Sequence, residues 1–176
     1  MKKLAWMALA LVLMAAVSQA QDVPKADIAV SYSPLYILKG YTIWNNGASG
    51  ALAFNANPWL GFVGDFGVYH GYVGQGLTGE TYMVGPRFSL RTPNNPHIVP
   101  FAQALFGGSH FSTSTGGITG GGSEFTFSVG GGLDLIGRRG RFALRPQAEY
   151  VGIRSGSSIT PALRLGIGIV YRIVGS

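Results

Sequence analysis

Three polar residues near the middle of the chain have the types and spacing of a hydrolytic centre. His110 and Ser112 are two residues apart, so on a β-strand both side chains leave the same face, and Glu124 enters the next segment across a Gly-rich stretch. A serine activated by a histidine that a carboxylate orients is a nucleophile for acyl transfer. A second set consists of three acids and three arginines, Asp65, Arg87, Asp134, Arg145, Glu149 and Arg164, on the small-residue faces of their segments. Such charges could form a transport constellation. The expected use is ion pairing inside a confined space, because a buried charge is tolerated beside its partner. His70 and His97 fall at a segment end and in a turn with no convergent ligands, so no metal is expected. The Gly-rich run 115–123 lacks the Lys-Ser/Thr ending and following helix of a phosphate cradle, and no cofactor is expected.

The elements that must position these residues alternate with a period of two. In "LRLGIGIVYRI" the positions Leu163, Leu165, Ile167, Ile169, Tyr171 and Ile173 share one face and Arg164, Gly166, Gly168, Val170 and Arg172 the other. Similar segments predict eight strands, at 27–38, 48–55, 60–72, 81–91, 99–111, 124–136, 141–154 and 160–173. The connections "NANPWL", "TPNNPHI" and "IGRRGR" read as tight turns, whereas "KGYTIWNNG", "VGQGLTGE" and "STSTGGITGGGSE" read as longer loops. Only "SGSS" is short on that second side. Short turns at one rim, longer loops at the other and both termini on the short-turn side are the plan of an all-β, eight-stranded antiparallel up-and-down transmembrane β-barrel spanning residues 27–173.

Opposed residues in an antiparallel hairpin have position numbers of constant sum. Folding each hairpin about its loop centre predicts Glu149 opposite Arg164, Asp134 opposite Arg145, and Asp65 opposite Arg87 about Gly76. Three such pairs would plug the bore.

Parity alone leaves open which face is outside, and a soluble lipid-binding barrel would carry its apolar face inward. Here the polar face is mostly Gly, Ser and Ala, which suits the narrow bore of eight strands better than a solvated surface. Trp59, Phe142 and Tyr171 gather toward the short-turn rim and Tyr36, Tyr82, Phe125 and Tyr150 toward the other, as interface girdles would. The apolar face is therefore expected to meet lipid.

Residues 1–20 combine two lysines, an apolar core and the small residues a signal peptidase reads, so cleavage is expected before Gln21. Residues 21–26 then form a short periplasmic lead and 174–176 a tail, both termini being periplasmic. Charged residues make up 11% of the chain, against about 25% in ordinary soluble domains, and there is no cysteine. The net charge of +6 comes from arginines scattered along the segments, which argues against nucleic acid.

With eight alternating segments, "NPWLGFVGDFGVYHGY", "PFAQALFGG" and the closing "RLGIGIVYRI", the chain resembles the small outer-membrane β-barrel family that includes the OmpA transmembrane domain and OmpX. The resemblance implies a monomer in the bacterial outer membrane, in contact with its lipid and lipopolysaccharide, delivered by periplasmic chaperones and the barrel-assembly machinery. Arg164, Gly166, Ile169 and Tyr171 are similar to the signal that machinery reads, although the chain ends Val174, Gly175, Ser176 instead of on an aromatic. No peptidoglycan-binding domain follows, so a tethering role is not implied. The spacing of His110, Ser112 and Glu124 resembles that of outer-membrane lipid A deacylases, which carry their motif in the final hairpin; here it flanks the third. The expected function is structural or surface-interacting, with lipid A hydrolysis and a narrow channel as alternatives.

Overall fold

The computed structural model describes residues 23–38, 43–72, 76–115 and 118–174. Nine strands follow one another: β1 (Pro24–Tyr32), β2 (Leu35–Ile37), β3 (Ile43–Asn55), β4 (Leu60–Tyr72), β5 (Gly76–Ser89), β6 (Ile98–Thr115), β7 (Ile118–Ile136), β8 (Phe142–Ser155) and β9 (Ser158–Val174). Every pairing is antiparallel, and β9 returns to pair with β1 and β2, which closes the sheet. β1 and β2 both lie between β3 and β9, so they are two halves of one stave and the barrel has eight.

The first stave was expected to run unbroken over 27–38. It starts at Pro24 and is interrupted at Ser33 and Pro34, where proline has no N–H to give to a ladder. Ser33 N donating to Gly47 O at 2.8 Å and Leu165 N donating to Pro34 O at 3.2 Å stitch the break into the sheet.

The strands toward the other rim are longer than expected. β3 begins at Ile43 instead of residue 48, β5 at Gly76 instead of 81, and β7 at Ile118 instead of 124. The stretch read as a Gly-rich loop is paired strand, with Thr113 opposite Gly120, Ser112 opposite Gly121 and Phe111 opposite Gly122. Glycine, serine and threonine carry no apolar alternation, yet a ladder needs only their backbone N–H and C=O groups. The asymmetry between the rims thus lies in strand height: the chain between β6 and β7 is residues 116–117, while the turn between β5 and β6 spans 90–97. Pro24 lies opposite Val174, so β1 starts and β9 ends at the same rim.

The alternation sorts residues as it would in an inside-out protein. Outward positions are apolar and exposed, with Val30 67% and Ile169 63% accessible, whereas inward Arg164 and Leu105 are 0% accessible. The interior is layered. Leu35, Tyr69, Val151, Ile153 and Ala162 fill one level; Ala53, Val63, Met83 and Leu105 pack elsewhere in the bore, and Ala29, Ala143 and Val170 form a third patch. The charges sit among these layers.

A candidate site in the barrel interior

Arg164 on β9 occupies the middle of the interior network. Its Nη1 donates to Asp65 Oδ1 at 2.7 Å and to Tyr69 Oη at 3.2 Å, and its Nε donates to Glu149 Oε2 at 2.5 Å. Its Nη2 also contacts Glu149 Oε2. Glu149 on β8 lies directly opposite Arg164 and accepts from Gln103 Nε2 at 2.5 Å. Gln103 in turn accepts from Arg87 Nε at 2.9 Å. A separate fork joins Arg145 to Asp134, Nε to Oδ1 at 2.6 Å and Nη2 to Oδ2 at 2.8 Å. Bidentate and charge-assisted contacts are the strong class of hydrogen bond, and here they span several strands.

Of the three expected pairs, Glu149 with Arg164 and Asp134 with Arg145 are in contact. The third is corrected. Asp65 lies opposite Met83, and Arg87 opposite Gly61, because Gly76 and Leu77 belong to β5 and the β4–β5 hairpin closes about residue 74 instead of 76. Asp65 instead crosses the bore to Arg164, and Arg87 reaches the network through Gln103.

Several interior participants lie outside the six expected charges: Tyr69, Gln103, Asp27, Asn55 and Arg91. Tyr69 had a local signal. It faces inward between glycines, and a Cβ placed at Gly47 or Gly67 would overlap its ring or hydroxyl. Asp27 accepts from Asn55 Nδ2 at 3.0 Å. Arg91, just past the end of β5, donates to the Pro58 carbonyl of the neighbouring turn.

The hydrolytic set is not assembled. His110 lies opposite Ser123, with Nδ1 3.1 Å from Ser123 Oγ, while Glu124 lies opposite Ser109. Opposed residues share a face and neighbours alternate, so Glu124 leaves the sheet on the side away from His110 and Ser112. Ser109 is buried and its Oγ accepts from Thr126 Oγ1 at 2.7 Å.

The aromatic candidates are mostly paired. Trp59 stacks on Phe88 with centroids 6.1 Å apart, Phe142 meets Tyr171 at 5.3 Å, Tyr36 meets Trp44 at 4.6 Å and Tyr150 meets Phe127 at 6.2 Å. Tyr82, Gly108, Phe125 and Arg154 fall on one register row. In β9, Arg164 points inward while Ile169 and Tyr171 point outward.

A closed antiparallel barrel of eight staves with an apolar exterior and an ion-paired interior is the fold of the small β-barrels of bacterial outer membranes. No protein-family model matches the chain, and no curated protein matches it. Among solved structures it is similar to Neisserial surface protein A, with 12% identity, a TM-score of 0.68, and coverage of 84% of this chain and 95% of that one. It is also similar to Ail, the attachment invasion locus protein of Yersinia pestis, at 17% identity and a TM-score of 0.61, covering 85% and 99% of the two chains. The N-terminal β-barrel domain of Pseudomonas aeruginosa OprF matches at 15% identity and a TM-score of 0.54, covering 87% and 100%. These likenesses establish the fold.

Proposed function

We propose that residues 1–20 are a cleaved signal and that the mature chain, from Gln21, spans the bacterial outer membrane as a monomeric barrel, both termini in the periplasm. The observation that carries this reading is the radial inversion. Exposed Ile28, Val30, Phe66, Val84, Leu165, Ile167 and Ile169 ring the outside, where water would be a poor neighbour and lipid a good one. The aromatic pairs near the strand ends, Trp59–Phe88, Phe142–Tyr171 and Tyr36–Trp44, serve as the interface girdles. The lumen is plugged by the two charge clusters, and the role of the protein is structural or surface-interacting, with the raised β4–β7 rim as contact surface for lipopolysaccharide or for partners outside the cell. Periplasmic chaperones deliver it, and the barrel-assembly machinery reads Arg164, Gly166, Ile169 and Tyr171.

Cell fractionation and N-terminal sequencing test the location: the protein is expected with outer membranes and starting at Gln21, and recovery as a soluble periplasmic protein would overturn the proposal. Separation of Glu124 from His110 supports a non-enzymatic role. Expression is expected to leave the lipid A acyl pattern unchanged by mass spectrometry; loss of a chain that Ser112→Ala restores would contradict that.

A further inference from the structure

The outer wall of the barrel is hollow where β3 meets β4. Gly50 on β3 lies opposite Phe66 on β4, and Leu52 lies opposite Gly64, so the two glycines are diagonal neighbours on the outward face. A Cβ at Gly50 would meet nothing within 4 Å, and one at Gly64 would meet only Val84 Cγ1, at 3.9 Å. Other outward glycines are covered. Gly108 lies under the Tyr82 ring and Gly152 under the Phe127 ring, each so close that a Cβ would clash, and both are buried. A neighbouring aromatic laid over a glycine restores the packing that the missing side chain forfeits. Gly50 and Gly64 lack such a roof, because Tyr82 is turned over Gly108 and Phe66 stays half exposed.

The two glycines floor a groove of about 630 Å³ walled by Ile28, Val30, Leu52, Phe66, Val84 and Phe106. All six wall residues are apolar and exposed. The groove lies in the outer half of the apolar belt. On β5 the outward residues run from Phe88, stacked on Trp59 at the short-turn rim, through Pro86, Val84 and Tyr82 to Glu80, where polarity returns. The groove takes Val84 and Tyr82, the two positions next below Glu80. An unfilled hollow forfeits the dispersion contacts of its walls. Water is a poor filler, since it needs polar partners that these side chains do not offer. Hydrocarbon is what stands against the belt at that depth, and the groove is continuous with the rest of the lipid-facing wall. Neighbouring strands are about 4.8 Å apart, so omitting a side chain from each of two of them opens a slot suited to a single flexible chain. A second barrel would bring a convex wall to it instead.

We propose that the groove over Gly50 and Gly64 seats one acyl chain of the outer-leaflet lipid, lipopolysaccharide, at a fixed place on the barrel wall. The inference rests on the outer-membrane reading and adds to it a defined lipid site below the rim, independent of the lumen charges.

Purified hexa-acylated lipid A is the probe. The barrel, folded in neutral detergent, is mixed with it, and the lipid retained is counted by native mass spectrometry. The wild type is expected to hold a single lipid A. Filling the groove with Gly50→Leu and Gly64→Leu together should weaken retention about tenfold, the equivalent of about ten lost carbon contacts. Ala148→Leu, on the exposed outer face of β8, should retain lipid A like the wild type. A wild type that holds no lipid A, or a filled variant that holds it equally well, overturns the proposal. So does preferential retention of phosphatidylethanolamine, which would make the groove a phospholipid site, and so does a lipid-free dimer that the leucines dissociate, which would make it a contact between copies. The space above both glycines is open, so the filled variant is expected to fold, and its cold and boiled migration in sodium dodecyl sulfate checks this. If it does not fold, the wild-type preference for lipid A over phosphatidylethanolamine decides. A barrel that fractionates with outer membranes yet holds no lipid A refutes this site alone and leaves the location standing.

Discussion

Arg164 reads two carboxylates from two sides of the barrel, and that makes it the residue on which the interior depends most. Replacing it with alanine leaves Asp65 and Glu149 facing each other's charge without a cation between them. Loss of one partner of a fully buried pair costs about 3 to 5 kcal/mol, less where lumen water reaches the orphan. Arg154 is exposed on the outer face and donates to the Gly156 carbonyl at 3.3 Å. Urea unfolding should therefore show Arg164→Ala far less stable than Arg154→Ala. Adding Glu149→Ala to Arg164→Ala should recover part of the loss, and strict additivity would show that the two are not coupled. Glu149 and Arg164 were legible in the sequence because their hairpin is short and its centre unambiguous. Asp65 was not, since its partner comes from a strand 99 residues away and no hairpin arithmetic reaches across a bore.

At the scale of the strand, glycine is the informative residue, and β7 holds two opposite cases. Gly122 has nothing within 4 Å of where a Cβ would stand. Gly130 faces the neighbouring strand, where a Cβ would strike the Ala148 carbonyl and stand 2.5 Å from Glu149 Cα and 2.8 Å from its Cγ. Gly122→Ala should change stability little. Gly130→Ala must push β8 and displace the Glu149 carboxylate, a cost of about 1 to 3 kcal/mol for overpacking. Denaturation midpoints of the two variants check the contrast, and equal midpoints would contradict the β7–β8 packing. Apolar alternation made most strands readable, but it fails where no apolar residue marks the beat. No apolar residue marks the beat over 119–123 or at Asn45, Asn46 and Gly47, so the alternation stops short of where β7 and β3 begin. The break at Pro34 was visible as a residue type, yet only the flanking pairings show that the stave resumes.

For the whole molecule, closure matters more than any single strand, because a closed sheet has no edge to lose first. Samples kept cold in sodium dodecyl sulfate should stay folded and migrate differently from boiled ones; identical migration would argue against a closed barrel. The layered interior bears on conduction. Arg164, Glu149, Asp65 and Tyr69 join β4, β8 and β9 across the bore, and Arg145 with Asp134 closes a second level. In the proposed barrel these charges plug the lumen and the outer face meets lipid. A planar-bilayer recording of the purified wild-type barrel tests it most directly. Stable insertion with little steady ion conductance is the predicted result, and a large, persistently open pore in the unmutated protein would contradict it.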